Sequence, residues 1–442
     1  MRGLAIVGVV VLVGCDGEKS PDDRADQDVV SAALSFDVST LAARAELVVR
    51  PAGGVVRLDA RGLEVHGVWV DGDPTEPEDD GGWLVVDAEA DPVTVRVDYT
   101  FPERGPSQFD GWMPGHGVSF LWPYYCGNLY PCDPDIRDGL RFTLEVTGVA
   151  EGLIAVYGED SVGDAPPYMP AFAIGDYERR SFGTTSAGTE VVAWYFAGAD
   201  GLARAEAGAA NLLESVDFFE RVYGPYAYGP IMGSVEVDWG ADSWGGLENH
   251  PYSHVARFDF ATEEVHAHEA AHGWFGDAVR FECWEDFVLS EGTVTYMAAR
   301  AMEESGGPDL WSYYVDDFLE PICSGRDVNA IVLPDDTCGE IDILAEDLWS
   351  LAPYMKGACF YEEVGDVIGI DAVDEVIGTF YRDHVGGTAR MAEMVAALEA
   401  AAAPEDREAI RAAQTDWLDT LACPADYAAR CRAHAAASPS RM

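Results

Sequence analysis

The stretch H-E-A-A-H at 268–272 constrains this chain more than any other part of its sequence. His268 and His272 are four residues apart, so on an α-helix they project from one face, one turn apart, as two ligands of one metal ion must. Glu269 lies beside that face, where a carboxylate can accept a proton from a metal-bound water. Apolar neighbours indicate that the helix is buried: Ala267, Ala270, Ala271, Trp274 and Phe275. Because two buried histidines without a partner are costly, the pattern favours a metal site over a solvated helix with two surface histidines.

A third metal ligand is predicted at Glu291, in the segment F-V-L-S-E-G at 287–292. Catalytic zinc takes three protein ligands and a water. The 18 residues between His272 and Glu291 leave room for a connector and the start of a second helix. We therefore expect one zinc ion per chain on His268, His272 and Glu291. Asp286 is a candidate for holding the other ring nitrogen of a ligand histidine, with an ordinary surface acid as the alternative.

The segment G-G-L-E-N at 245–249 precedes the predicted metal helix. Two glycines allow another backbone to approach closely, as when an extended peptide pairs with a strand edge. A carboxylate just after them, at Glu248, can hold a cationic group. The motif alone is also typical of an ordinary loop. The substrate-binding candidates are Gly245, Gly246, Leu247, Glu248 and Asn249.

Tyr354 stands in the segment P-Y-M-K-G at 353–357, just before a predicted helix. A tyrosine hydroxyl directed at the metal site could stabilise a tetrahedral oxyanion. A core tyrosine beside a helix start is the alternative.

The N-terminus has the features of an export signal. Arg2 is followed by a short apolar run from Leu4 to Val13, which is too brief to span a bilayer. The sequence L-V-G-C at 12–15 resembles a bacterial lipobox, which predicts a lipidated Cys15; a signal peptide without lipidation is the alternative. We expect a signal peptide over 1–14, a disordered tether over 15–30, and location in the bacterial cell envelope, or secretion.

Composition restricts the possible partners. The net charge is −52 over 442 residues, and such a surface repels phosphate backbones and anionic lipids. We therefore expect no nucleic-acid binding, and membrane contact only through the N-terminal lipid anchor. An acidic surface also keeps an exported protein soluble and need not mark a substrate.

The cysteines predict disulfides. Eight remain after Cys15, and an even number in an exported chain suggests pairing. Proximity along the chain favours Cys126–Cys132, Cys323–Cys338 and Cys423–Cys431, although eight cysteines allow 105 connectivities. The states of Cys283 and Cys359 stay open.

Two domains follow from the periodicity of apolar residues. Residues 31–200 contain short alternating or β-branched runs separated by turn clusters, which predicts an antiparallel, sandwich-like β domain. From Leu202 the pattern is helical as far as Tyr223, and a strand is predicted at 231–237. Residues 201–442 form the second domain, mostly helical after Glu291. The class is multi-domain α+β.

The four motifs together resemble the gluzincin family of membrane alanyl aminopeptidases and leukotriene hydrolase. Further stretches share the resemblance: W-E-D-F-V-L-S-E-G at 284–292, Y-P-C-D-P-D at 130–135 and F-F-E-R-V-Y-G-P-Y-A-Y at 218–228. It covers about residues 31–385. The resemblance implies a thermolysin-like catalytic domain and zinc on the three predicted ligands. It also implies that Glu269 is the general base, that Tyr354 stabilises the transition state, and that Glu248 anchors the free α-amine of a peptide.

The chain departs from the family pattern at several positions. Leu247 stands where the family usually has Met, Val288 where it has Trp, and Ser290 where it has Asn. With 88 residues after Tyr354, a short member without the long C-terminal helical domain is expected. The sequence thus predicts a zinc aminopeptidase acting on peptides with a free N-terminus. The alternatives are an endopeptidase with an open cleft and a catalytically idle binding scaffold, and intact Glu269 and Tyr354 argue against the scaffold.

Overall fold

Strands fill the first part of the chain and helices the second, in a computed structural model that describes residues 27–106, 108, 110–159, 163–240, 245–334 and 350–432. The predicted signal peptide, Cys15 and Cys338 lie outside these described residues, so the export and lipidation calls stay predictions. The first strand begins at Asp28, within the segment expected to be a tether. None of the described helices combines the length and apolar character needed to cross a bilayer.

Six strands form the largest sheet of the N-terminal region, in the order β11-β1-β2-β8-β4-β5. Their bounds are β1 Asp28–Asp37, β2 Ala42–Arg50, β4 Glu64–Val70, β5 Asp73–Thr75, β8 Val93–Thr100 and β11 Arg141–Thr147. All neighbours are antiparallel except β1 and β11, which pair in parallel. Alternate residues of β8, from Val93 to Tyr99, are buried, as the period of two in the sequence predicts.

Two smaller sheets complete the N-terminal region. One has the order β3-β7-β6, with bounds Val55–Asp59, Trp83–Asp87 and Glu78–Asp80. The other has the order β12-β13-β10-β9, with bounds Ile154–Tyr157, Phe172–Gly175, Val118–Phe120 and Gly111–Met113. Phe36 of the large sheet packs on Phe172 of β13, with ring centroids 5.6 Å apart. The predicted β-rich, sandwich-like domain is confirmed.

A five-stranded sheet connects this region to the helices, in the order β14-β15-β16-β18-β17. The bounds are β14 Tyr177–Thr184, β15 Glu190–Phe196, β16 Ile231–Val237, β17 Gly246–Leu247 and β18 Tyr252–Ala256. The predicted domain boundary near residue 200 falls inside this sheet, because β15 pairs in parallel with β16. The short strand β17 pairs antiparallel with β18 and lies at the end of the sheet order.

Helices form most of the remaining described chain. Their bounds are α1 Ala199–Gly208, α2 Leu212–Val222, α3 Glu263–Ala271, α4 Phe287–Ser305, α5 Leu310–Tyr313, a π-helical segment Tyr314–Leu319, α6 Glu320–Cys323, α7 Ala352–Ile368, α8 Ile370–His384, α9 Met391–Ala401, α10 Arg407–Trp417 and α11 Tyr427–Arg430. Strands β19 Val279–Phe281 and β20 Gly387–Ala389 form a parallel pair. The helical pattern predicted from Leu202 to Tyr223 corresponds to two helices, α1 and α2, with a turn between them.

Helix α4 lies at the centre of the helical region. Every residue from Phe287 to Met302 is buried, as expected of a helix covered on all sides rather than on one face. It packs closely against α7 where two glycines meet. A Cβ atom on Gly292 would lie 2.8 Å from the Cα atom of Gly357. This close contact brings the first turn of α7 beside Glu291, which is the residue before Gly292.

The disulfides correct two pairings expected from sequence proximity. Cys126 and Cys132 pair as predicted. However, Cys323 pairs with Cys423, and Cys359 pairs with Cys431. Short sequence separation was the wrong guide here, because α7 and α6 each lie against the C-terminal segment. Cys283 is also disulfide-bonded.

The buried pair Arg300–Asp374 generates a stability prediction. Asp374 of α8 accepts hydrogen bonds from Arg300 of α4 and from the hydroxyls of Tyr223 and Tyr296. Asp374→Ala removes the acceptor that these three side chains share and leaves Arg300 its ion pairs with Glu303 and Glu304, so the free energy of unfolding should fall by about 3 kcal/mol. Urea unfolding followed by circular dichroism measures it. The control is Asp98→Ala, which removes the exposed partner of Arg44 and should cost at most about 1 kcal/mol. Equal losses in the two variants would contradict the prediction.

Candidate active site

The three predicted metal ligands meet at one point, where the end of α3 faces the first turn and a half of α4. The Nε2 atoms of His268 and His272 are 3.3 Å apart. Oε2 of Glu291 lies 3.2 Å from Nε2 of His268 and 3.5 Å from Nε2 of His272. All three side chains are buried, and their ligand atoms lie within 4.8 Å of one another. The structure therefore brings together two imidazole nitrogens and one carboxylate oxygen.

This donor set suits zinc, which prefers histidine nitrogen and carboxylate oxygen and keeps a further position open in catalytic sites. Burial acts to raise the pKa of Glu291, but the nearby charge of His272 and hydrogen bonds from both histidines lower it to about 2. The pKa of His272 is in turn raised well above its usual value, against the effect of burial, by the charge of Glu291. Positive charge next to the carboxylate thus favours its ionised form, and a divalent cation held by His268, His272 and Glu291 would supply that charge in place of the imidazole protons.

The surrounding carboxylates strengthen this argument. Glu269 and Asp277 are buried and Glu248 is half-buried; Glu269 lies near Glu291, and both Glu248 and Asp277 lie near Glu269. Among the residues that the structure describes, no Lys or Arg forms an ion pair with any of these four acids. Lys356 is directed elsewhere, since its ammonium donates to the carbonyl of Thr420 at 2.7 Å. Burial raises the pKa of Glu269 and of Asp277, which favours their neutral forms, and a bound cation would favour the ionised carboxylates.

The other ring nitrogens of the two histidines are held by neighbours that the sequence did not reveal. Nδ1 of His272 lies 3.0 Å from the carbonyl oxygen of Phe275 and 3.3 Å from Oγ of Ser290. Nδ1 of His268 lies 3.5 Å from Oγ1 of Thr295. The hydrogen-bonding role of a backbone carbonyl cannot be predicted from a sequence motif. Thr295 can be predicted as a neighbour of His268 only if α4 is first recognised as a helix that begins before Glu291.

Asp286 does not orient a histidine, and that prediction is corrected. Its carboxylate accepts one hydrogen bond from Nε of Arg390 and one from the backbone N–H of Met391, both at 2.9 Å. Asp286 immediately precedes α4, so its side chain connects that helix to the start of α9. The alternative, that Asp286 is an ordinary surface acid, is also wrong, because Asp286 is buried.

Glu269 explains why position 246 is a glycine. A Cβ atom on Gly246 would lie 2.2 Å from Oε1 of Glu269, so any side chain there would displace the carboxylate. Burial is the main cause that raises the pKa of Glu269, to about 8. The strand β17 and the carboxylate of Glu269 are therefore in direct contact, which places the edge of the sheet beside the three-donor group.

Tyr354 lies in the first turn of α7, next to Pro353 at the helix start. Its ring stacks on that of His268, with centroids 5.8 Å apart and an angle of 19° between the planes. Burial and the neighbouring charge of Glu291 raise the pKa of Tyr354 well above its usual value, so its hydroxyl stays a hydrogen-bond donor at neutral pH. The Gly292–Gly357 contact between α4 and α7 sets this position.

The remaining residues of the 245–249 motif serve different purposes. The Leu247 side chain is buried among core residues of the sheet, and Nδ2 of Asn249 donates to the carbonyl of Met169 at 3.3 Å. A Cβ atom on Gly245 would lie 3.0 Å from Oδ2 of Asp259. Glu248 alone in this motif directs a carboxylate to the site, where it groups with Glu269 and His272 within 4.8 Å.

Three buried polar residues close to Glu248 were missed by the sequence reasoning: Tyr168, His250 and Asp277. The hydroxyl of Tyr168 lies 3.0 Å from Oε1 of Glu248 and 3.4 Å from Oδ1 of Asp277. Tyr168 comes from the β-rich region, some eighty positions before Glu248. No periodic pattern or motif marks such a residue, because only the packing of the two regions brings it to the site.

Comparison with solved structures supports this arrangement of the chain. A crystal structure of a mutant M1 zinc metallopeptidase from Deinococcus radiodurans, bound to a Tyr-Ser-Ala substrate, superposes with a TM-score of 0.74 at 20% identity, covering 91% of this chain and 96% of that one. Aminopeptidase A of Legionella pneumophila superposes with a TM-score of 0.73 at 18% identity, covering 91% of this chain and 51% of that one. At these identities the similarity establishes the fold, which matches a two-domain metallopeptidase.

Comparison of sequences finds curated relatives and a match to one family domain. Tricorn protease-interacting factor F2 of Thermoplasma volcanium is 26% identical over 200 residues, 42% of this chain and 25% of that protein. Leucine aminopeptidase 2 of Aspergillus oryzae is 26% identical over 289 residues, 59% of this chain and 44% of that protein. The chain thus spans less than half the length of these relatives. Residues 250–417, which contain all three metal-ligand candidates, match the peptidase family M1 domain.

Proposed function

We propose that this protein is a zinc-dependent aminopeptidase that removes N-terminal residues from peptides with a free α-amine. The observation that carries the proposal is the position of Glu248. Its carboxylate groups with Glu269 and His272 within 4.8 Å, immediately beside the three metal-ligand candidates. Such a carboxylate, without a Lys or Arg partner among the described residues, is suited to a substrate ammonium. Relatives named aminopeptidases support the proposal.

The edge strand β17 gives the direction in which a peptide would lie. One side of β17 pairs with β18, and its other side can accept an extended peptide as an added strand. If Glu248 holds the ammonium, the peptide starts there and runs antiparallel to β17 toward Gly246 and Gly245. Glu269 contacts Gly246, so it lies one step beyond the amine, beside the first peptide bond.

The chemistry follows from these positions. One zinc ion on His268, His272 and Glu291 would act as a Lewis acid and lower the pKa of a coordinated water to about 7. Glu269 then accepts the proton of the attacking water and returns it to the leaving amine. Tyr354 donates its hydroxyl hydrogen to the developing oxyanion. Intact Glu269 and Tyr354 argue against an idle binding scaffold, since a scaffold requires neither.

Metal content tests the ligand assignment. His272→Ala removes one of three protein ligands, so zinc should fall from one ion per chain to near zero and activity should be lost. Elemental analysis of the purified protein measures it. His66→Ala, which changes an exposed histidine, should keep full zinc. A His272→Ala protein with one zinc per chain would refute the assignment.

The role of Glu269 as base is tested by Glu269→Gln. Because the amide cannot accept the proton, kcat should fall by about 10³–10⁴, while zinc content is kept. The matched control is Glu263→Gln in the first turn of the same helix, where the side chain contacts Asn211 instead of the site. Steady-state kinetics on leucine p-nitroanilide provides the measurement. Near-normal turnover of Glu269→Gln would require another base.

The decisive experiment concerns the α-amine. The wild-type protein should cleave leucyl peptides roughly 10–150-fold faster than their N-acetylated forms, as expected for loss of a charged hydrogen bond. Glu248→Ala should slow cleavage of the free-amine peptides and leave the acetylated ones nearly unchanged, so the ratio falls toward one. Product analysis by mass spectrometry gives the cleaved bond. Equal rates on free and acetylated peptides, with cuts at internal bonds of casein, would instead identify an endopeptidase.

A further inference from the structure

Glu248 is held by a residue from the β-rich region of the chain. The hydroxyl of Tyr168 donates to Oε1 of Glu248 at 3.0 Å. Within the parts of the chain that the structure describes, this is the hydrogen bond that the Glu248 carboxylate receives. Tyr168 is itself 4% exposed, so the bond is shielded from water although Glu248 is only half-buried. One carboxylate oxygen is thus engaged by the protein, which leaves the second oxygen for a ligand.

Behind Tyr168, further polar groups restrict where its hydroxyl can lie. Oδ1 of the fully buried Asp277 is 3.4 Å from the hydroxyl, a longer contact than the one to Glu248. Oδ2 of Asp277 lies 3.4 Å from Nε2 of His250, and Nδ1 of His250 lies 2.8 Å from the hydroxyl of Tyr226. A hydroxyl has one hydrogen to donate, and the shorter distance assigns it to Glu248.

The backbone around Tyr168 is held from both sides. The hydroxyl of Tyr130 donates to the carbonyl of Pro167 at 2.6 Å, and Tyr130 lies within the loop closed by the disulfide Cys126–Cys132. From the catalytic side, Asn249 donates to the carbonyl of Met169 at 3.3 Å. The carbonyls of Pro167 and Met169 therefore both accept hydrogen bonds, the first from the β-rich region and the second from the 245–249 motif, which contains Glu248.

We propose that Tyr168 is a positioning residue for substrate binding: it holds the Glu248 carboxylate in the orientation that receives the α-ammonium of the peptide. This inference rests on the proposed function, in which Glu248 is the amine anchor. It adds that the β-rich region supplies part of the anchor. The catalytic region by itself contains Glu248 but not the Tyr168 hydroxyl that donates a hydrogen bond to it.

The proposal predicts an effect on binding rather than on chemistry. A glutamate side chain has several rotatable bonds, and a free side chain must be ordered each time a substrate binds. The ammonium makes the same contact with Glu248 in the bound peptide and in the transition state. Loss of this contact therefore weakens the binding of both equally. A weaker anchor should therefore raise KM and leave kcat nearly unchanged.

Tyr168→Phe keeps the ring and removes the hydroxyl. KM for leucine p-nitroanilide should rise about tenfold, with kcat within about twofold of wild type and zinc content unchanged. The matched control is Tyr177→Phe, which removes another buried hydroxyl, one that donates to the carbonyl of Glu236 at 2.8 Å away from the site. This control should show wild-type KM. Thermal unfolding of both variants verifies that they are folded.

A double-mutant cycle separates positioning from a general structural role. In the Glu248→Ala background, Tyr168→Phe should change KM by less than about twofold, because the residue acts through Glu248. A Tyr168→Phe protein with wild-type KM, a loss confined to kcat, or an equally large loss in the Glu248→Ala background would each overturn the inference. If the wild-type protein cleaved acetylated and free-amine peptides at equal rates, both the proposed function and this inference would be wrong. If the wild-type protein required the free amine but Tyr168→Phe had wild-type KM, the inference alone would be wrong.

Discussion

The burial of several carboxyl groups at one point is the constraint on which the site depends. Glu269, Asp277 and Glu291 are buried around two histidines, and Glu248 lies beside them, with no Lys or Arg ion pair to any of the four among the described residues. Burying a charge without a partner is strongly unfavourable. Burial therefore raises the pKa of Glu269 and of Asp277, and bound cations would favour their ionised forms. A zinc ion on the three-donor group and an ammonium at Glu248 would supply positive charge at two adjacent points of the site.

Close packing of backbones positions the groups that surround this charge. Gly292 and Gly357 let α4 and α7 touch, so the first turn of α7 brings Tyr354 onto the ring of His268. Gly246 lets the edge strand approach Glu269. A methyl group at any of these glycines would separate elements that have to meet. The glycines therefore act by close approach rather than by unusual backbone angles.

The β-rich region takes part in the site as well as in the fold. Its segment around Tyr168 is bonded to the Cys126–Cys132 loop on one side and to Asn249 on the other. Through Tyr168 this region reaches Glu248, the residue on which the aminopeptidase proposal rests. The five-stranded sheet extends the connection, because its first two strands precede the helices in the chain while its last strand lies at the site. The β-rich region and the catalytic region are thus joined by the five-stranded sheet and by the hydrogen bond between Tyr168 and Glu248.

The sequence by itself determined the local features of this protein. The spacing of His268 and His272 on one helix, the position of Glu291 on the next, and the alternation of buried residues in β8 all follow from the periods of helices and strands, which act over a few residues. Contacts between distant segments required the tertiary structure. Sequence proximity predicted the wrong disulfide partners for Cys323 and Cys431. Asp286 was predicted to bind a ligand histidine, but it accepts hydrogen bonds from Arg390 and Met391. Tyr168 carried no signal at all. The physical reason is that side-chain direction and strand pairing are fixed locally by backbone geometry, whereas the partner across an interface depends on how whole elements pack.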